Sequence, residues 1–243
     1  MTRAVLLAAG LVATVVASGC QSTQNKNDEL AKQAKKLTLQ KGLKVTRTNK
    51  HVDVVHTTVL QDANGAAAVV TLRNLTSKPL PRQPISIAVL GGGGKKLFAN
   101  DAPGLEPSLV NTPPIPARGT AAWIDDQLQL DGRPKKVNAK VGVASAAAKV
   151  PAREPKLIVS RPTFHDDPIS GIAVVGTVKN ASKVEQRKLV ISVIARKGGR
   201  IVAAGRGQIE RLKPGKTGNY KVFFIGNPRG ARLSVSAPPT QFK

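Results

Sequence analysis

Cys20 is the only thiol of the chain, and His51, His56 and His165 are its only imidazoles. A single cysteine excludes an intramolecular disulfide and any Cys-x-x-Cys metal or redox motif. His51-Val52-Asp53 places an imidazole and a carboxylate two apart, hence on one face if the segment is a strand, and His56 then has the opposite parity. Structural zinc takes four ligands and catalytic zinc three plus water, so three scattered histidines are a poor supply and no metal is expected. Asp125-Asp126 and His165-Asp166-Asp167 are sequence neighbours whose side chains diverge in an extended chain; without further oxygen ligands for calcium they read as solvated loop charge. Gly91-Gly92-Gly93-Gly94-Lys95-Lys96 suggests a phosphate cradle, but a P-loop needs Gly-x-x-x-x-Gly-Lys-Ser/Thr between strand and helix. Here an apolar strand follows, so the glycines form a hairpin tip. No Gly-x-Ser-x-Gly elbow occurs. The expectation is a protein without catalytic residues or cofactor.

Charge is the remaining chemical resource. Lys and Arg number 38 against 14 Asp and Glu, for a net charge of +24. Between residues 156 and 243 seventeen cations face four anions, whereas between 51 and 150 eleven face seven. The second half is the basic one, and Lys188, Arg196, Lys197, Arg200 and Arg206, expected in turns and strand ends, are the candidate contacts for an anionic partner. With aromatics at 3%, basic residues lack the interleaved stacking platforms of nucleic-acid binders, which argues against nucleic acid as partner.

Residues 1–19 have the layout of an export signal: Arg3 supplies a positive start, residues 4–17 are apolar apart from Gly10 and Thr14, and Ser18-Gly19 form a small-residue exit. The apolar run is shorter than the roughly 20 residues a spanning helix needs. Ala17-Ser18-Gly19-Cys20 resembles the lipobox of bacterial lipoproteins, in which the cysteine is lipidated and becomes the new N-terminus. The resemblance implies an extracytoplasmic protein held to the membrane by acyl chains on Cys20. Residues 20–50 then read as a lipidated basic tether, polar and with eight cations against Asp28 and Glu29 from residue 21 onward.

From residue 51 the hydrophobic period is two. Short Val-, Ile- and Ala-rich runs at 51–60, 66–72, 85–90, 95–99, 120–124 and 136–143 are punctuated by Gly, Pro and Asn, and the pattern resumes at 156–164, 171–178, 188–195, 200–204, 216–224 and 231–236. Residues 146–155, with two prolines and little periodicity, form the expected linker. The fold class is therefore all-β, with tandem sandwiches over 51–145 and 156–243 that the linker leaves free to fold independently. The halves repeat each other. Val69-Val70-Thr71-Leu72-Arg73-Asn74 aligns with Val175-Gly176-Thr177-Val178-Lys179-Asn180, and Lys96-Leu97-Phe98-Ala99 with Arg200-Ile201-Val202-Ala203. Asn74-Leu75-Thr76 and Asn180-Ala181-Ser182 match a glycosylation sequon, yet at a strand end they read as turn closers.

The run Gly176-Thr177-Val178-Lys179-Asn180-Ala181-Ser182 and the turn Leu212-Lys213-Pro214-Gly215 resemble the FxLYD and related immunoglobulin-like modules of bacterial lipoproteins. That resemblance implies an extracytoplasmic immunoglobulin-like sandwich and no particular activity. Together these readings lead to a non-enzymatic, membrane-anchored envelope lipoprotein that binds or scaffolds, its partners being anionic wall polymer, anionic lipid or an envelope protein. The alternatives are an accessory subunit docking on a membrane complex through a strand edge or apolar face and, more distantly, an extracytoplasmic hydrolase.

Overall fold

Alternating aliphatic residues have one face to bury, and in the computed structural model, which describes residues 42–146, 148, 150, 154–167 and 171–242, they do so in antiparallel sheets. The expected signal peptide, Cys20 and the tether up to residue 41 lie outside the described residues, as do linker positions 147, 149 and 151–153. Among the described residues no helix is long and apolar enough to cross a membrane.

The strands are β1 (Val52–Asp62), β2 (Gly65–Asn74), β3 (Ile85–Leu90), β4 (Lys96–Ala99), β5 (Thr120–Leu128) and β6 (Lys136–Val141). After these come β7 (Leu157–Val159), β8 (Thr163–Asp167), β9 (Gly171–Asn180), β10 (Gln186–Lys197), β11 (Arg200–Leu212), β12 (Thr217–Phe223), β13 (Ile225–Gly226) and β14 (Arg232–Ser236). One short helix, α1 (Pro107–Val110), precedes β5. The expected strand over 156–164 is divided between β7 and β8, because Pro162 falls in it and has no N–H for the ladder. β11 outruns its expected end because Gly205 and Gly207 are not breaks. A Cβ on Gly205 would lie 1.9 Å from the Phe223 carbonyl oxygen, so glycine is what lets β11 approach β12.

Topology repeats as the sequence does. The first half pairs β1-β2-β5 in one sheet and β4-β3-β6 in the other; the second pairs β12-β9 with β7 and β8 on the far side of β9, and β11-β10-β14 with β13 added at the edge. The equivalence extends to register. Both halves carry a bulge at the same place in the hairpin, between Val89 and Leu90 and between Ala195 and Arg196. Val89 faces Phe98 and Val137, while Ala195 faces Ala203 and Leu233, which makes Lys95 the counterpart of Arg200 and shifts the expected alignment of this segment by one residue.

Each sandwich has its own core. In the first, Val70, Leu72, Ile85, Ile87 and Trp123 are buried between the sheets; in the second, Val174, Val178, Leu189, Ile191 and Tyr220. A third apolar cluster was not expected. Val69 and Ile124, on the outer face of β2-β5, meet Ile194, Ile201 and Ala204 on the outer face of β10-β11, with Leu60 and Ala122 at the margin. Contact between the halves is therefore not confined to the linker, and the described residues from 42 onward fall in one compact unit. Runs such as Ala66 to Val70 are continuously buried because their strands have packed neighbours on both faces.

Candidate functional site

Arg196, Lys197 and Arg200 flank the glycine tip of the β10–β11 hairpin, with Lys197 directly opposite Arg200 and Arg196 directly opposite Arg232 on β14. Residues directly opposite across an antiparallel pair project to the same face, so like charges there repel and weaken the sheet. Among the described residues no carboxylate lies within ion-pair distance of these four side chains. Gly198 and Gly199, both with positive φ, let the chain reverse without adding a side chain to the tip.

Lys188 is exposed but lies apart from that hairpin, near the other end of β10. Its backbone is left-handed, with φ of 48°, and its side chain borders a groove shared with Arg82, Glu106, Pro107, Arg187 and Gln241. Nearby, Glu185 takes charge-assisted bonds from Arg187 and Arg211, both at 2.8 Å, which hold its carboxyl below the ordinary glutamate value.

Arg206 departs from expectation. Only 7% of its side chain is exposed, because it shares the outward face of β11 with Ala204 and that face is covered by the first sandwich. Its guanidinium bonds Glu106 Oε2 at 3.0 Å and Ser108 Oγ at 2.9 Å, and its backbone N–H donates to Asp126 Oδ2 at 2.7 Å. α1 supplies Ser108, whose carbonyl also accepts the Trp123 indole N–H at 3.0 Å. Arg206 is thus a tie between sandwiches and is withdrawn from the surface candidates. Asp125 and Asp126 are not solvated loop charge either: β5 continues through them, and burial pushes both carboxyls above the ordinary aspartate value, against the opposing pull of the Gln127 and Arg206 N–H groups and the Arg206 cation. A signal for this was present in parity, since Asp126 and Arg206 each lie two residues beyond Ile124 and Ala204, the last residues of their apolar runs.

Beside this tie, Ala122, Trp123, Ile124, Val190 and Pro239 border a small cleft that opens to solvent. It is apolar and proline-lined. No group of three or more His, Cys, Asp or Glu that could hold a metal exists among the described residues. His56 does not have the expected parity: β1 bulges between Val54 and His56, so Asp53 and His56 fall opposite Arg73 and Thr71 and share a face. His56 instead sits 2.8 Å from Thr58 Oγ1.

The sequon asparagines are interior. Asn180 Nδ2 donates to the carbonyls of Val184 and Leu212, and its Oδ1 accepts from the Ser182 N–H and hydroxyl. Asn74 does the same with Lys78, Ile115, Pro116 and Thr76. Two further equivalents had no sequence signature. Gln83 and Gln186 are buried, and each accepts a backbone N–H from the segment following its sandwich's last strand, Ala144 or Thr240.

No family model matches the chain, and no curated protein matches it. Among solved structures, similarity extends to the exo-β-D-glucosaminidase CsxA at 13% identity and TM-score 0.26, covering 74% of this chain and 25% of that one. Red sea bream transglutaminase matches at 14% identity and TM-score 0.22, over 91% of this chain and 32% of its own. This chain therefore spans about a quarter to a third of those proteins, and at such scores neither likeness carries an argument.

Proposed function

We propose that the protein is a non-enzymatic lipoprotein of the cell envelope, anchored through Cys20, whose two immunoglobulin-like sandwiches present a basic surface to an anionic envelope partner. The observation that carries this reading is the β10–β11 hairpin end, where Arg196 lies against Arg232 and Lys197 against Arg200 with no carboxylate of the described residues within ion-pair distance. Directly opposed like charges cost stability, of order several tenths of a kcal/mol per pair. A bound polyanion offsets that cost, whereas solubility alone is served equally by cations spread apart.

Docking on a membrane protein complex is the second reading. It is supported by Phe223, which remains 37% exposed opposite Ala173 on the sheet containing β9 and β12. Salt separates the two. Charge-driven attachment weakens as ionic strength passes 0.1 M, where the screening length is about 10 Å, and an apolar interface does not. The test is to follow envelope association of the Cys20→Ala protein against salt. Retention of Cys20→Ala in the detergent phase would overturn the anchor, and salt-insensitive association would transfer the function to the apolar reading.

A further inference from the structure

The basic hairpin end of the second sandwich has a counterpart in the first. Lys136 on β6 occupies the position of Arg232 on β14, since each opens the last strand and stands opposite the bulged end of the central strand, Leu90 or Arg196. Counting back along the same segment pairs Arg133 with Arg229, and the matched bulges pair Lys95 with Arg200. Three cations thus recur at three equivalent places. Lys96 and Lys135 join the first set, and Arg196 and Lys197 the second. All but the half-buried Arg196 are exposed.

Both sets occupy one end of the molecule. At the β1–β2 tip, Gln61 Nε2 donates to the carbonyl of Gly132, the residue before Arg133, at 3.3 Å. The adjacent Asp62 Oδ2 accepts the N–H of Gly226, three residues before Arg229, at 2.7 Å. One tip therefore holds both basic approach loops. Among the described residues the carboxylates here are Asp62, Asp131, Asp166 and Asp167, Asp166 paired with Arg229 at 2.9 Å and Asp167 with Lys221 at 3.0 Å, fewer than the cations. Net charge per half conceals this symmetry, because most acidic residues of the first half lie elsewhere.

We infer that the two hairpin ends are equivalent anion sites that together hold one linear polyanion, of the phosphate-bearing polymer class, across the end of the molecule. This deepens the polyanion reading above and rests on it. A polymer is favoured over a lipid surface by the composition of the tips. The tips are Gly92–Gly94 and Gly198-Gly199, with no apolar side chain to insert among head groups.

Two linked sites convert the second contact into an intramolecular one, so a chain long enough to span both should bind far more tightly than a short one. The experiment titrates the purified protein with long-chain polyphosphate and with tripolyphosphate. One variant carries Lys95→Glu, Arg133→Glu and Lys136→Glu, a second Arg200→Glu, Arg229→Glu and Arg232→Glu, and a control Lys78→Glu, Lys213→Glu and Lys216→Glu at the opposite strand ends. Glutamine versions replace any variant whose circular dichroism shows misfolding. Either hairpin variant should lose affinity for the long chain by roughly tenfold or more, halve the tripolyphosphate stoichiometry and leave the affinity of the remaining site little changed. The control should lose much less. If the first variant binds the long chain as the parent does while the second does not, bivalency is wrong and the polyanion reading survives. If the parent binds neither probe at low salt, the polyanion reading itself fails. Equal losses in the control, or salt-sensitive binding only to anionic phosphatidylglycerol vesicles, would each overturn the assignment.

Discussion

Asn180 fastens the turn after β9 to the end of β11 with one carboxamide: two carbonyls satisfied by its Nδ2, one N–H and one hydroxyl by its Oδ1. Asn180→Ala strands the buried Leu212 carbonyl at about 1–3 kcal/mol and three half-buried groups at less, so the midpoint of urea unfolding should fall by an amount equivalent to about 2–3 kcal/mol. Tyr220 makes the opposite case. Its ring covers Gly176, but its hydroxyl is buried without a hydrogen-bond partner among the described residues, and burial pushes its pKa up. Tyr220→Phe keeps the ring and removes the unpaired group, and should be neutral or stabilising by up to about 1 kcal/mol in the same titration. A marked loss instead would mean that the hydroxyl has a partner. The asparagines were legible in the sequence because Asn-x-Thr/Ser turn chemistry is local. Gln83 and Gln186 were not, because a glutamine that reaches a segment 61 or 54 residues away leaves no local trace.

Strand positions and the repeated order of strands along the chain were legible from period-two patterning and turn residues, whereas which strands pair was not read from them. Facing direction was less legible. A single bulge in β1 reversed the parity of everything after Val54, and glycines in β11 that permit close approach look in sequence like a strand's end. Lys188 is a local conflict of the same kind, a left-handed residue inside β10. A side chain in that conformation costs roughly 1–2 kcal/mol, a cost glycine escapes. Lys188→Gly should therefore be more stable than Lys188→Ala by about 1 kcal/mol in thermal unfolding, the lost charge being the same in both. Equal stabilities would show that Lys188 carries no backbone strain.

The junction between sandwiches decides whether the molecule presents one rigid basic end or two independent ones. Burying Val69, Ile124, Ile194 and Ile201 contributes about 1.5–3 kcal/mol per side chain as an upper estimate, against about 1–3 kcal/mol for the unpaired Asp126 Oδ1 beside them. The apolar term wins, so the described unit should unfold in a single calorimetric transition coincident with the change in Trp123 fluorescence. Arg206 is the polar member of this junction, tying β11 to α1 and β5 at once. Removing one partner of a buried pair costs about 3–5 kcal/mol in fully buried cases, and less here because Glu106 keeps 30% of its side chain exposed. Arg206→Ala should therefore lose about 2–3 kcal/mol and split the transition, with Trp123 reporting only the unfolding of the first sandwich. If the parent protein already unfolds in two separate steps, the junction does not couple the sandwiches. Arg206→Ala would then leave the long polyphosphate affinity untouched, whereas a coupling junction that holds the two hairpin ends at a fixed spacing requires the affinity to fall with it.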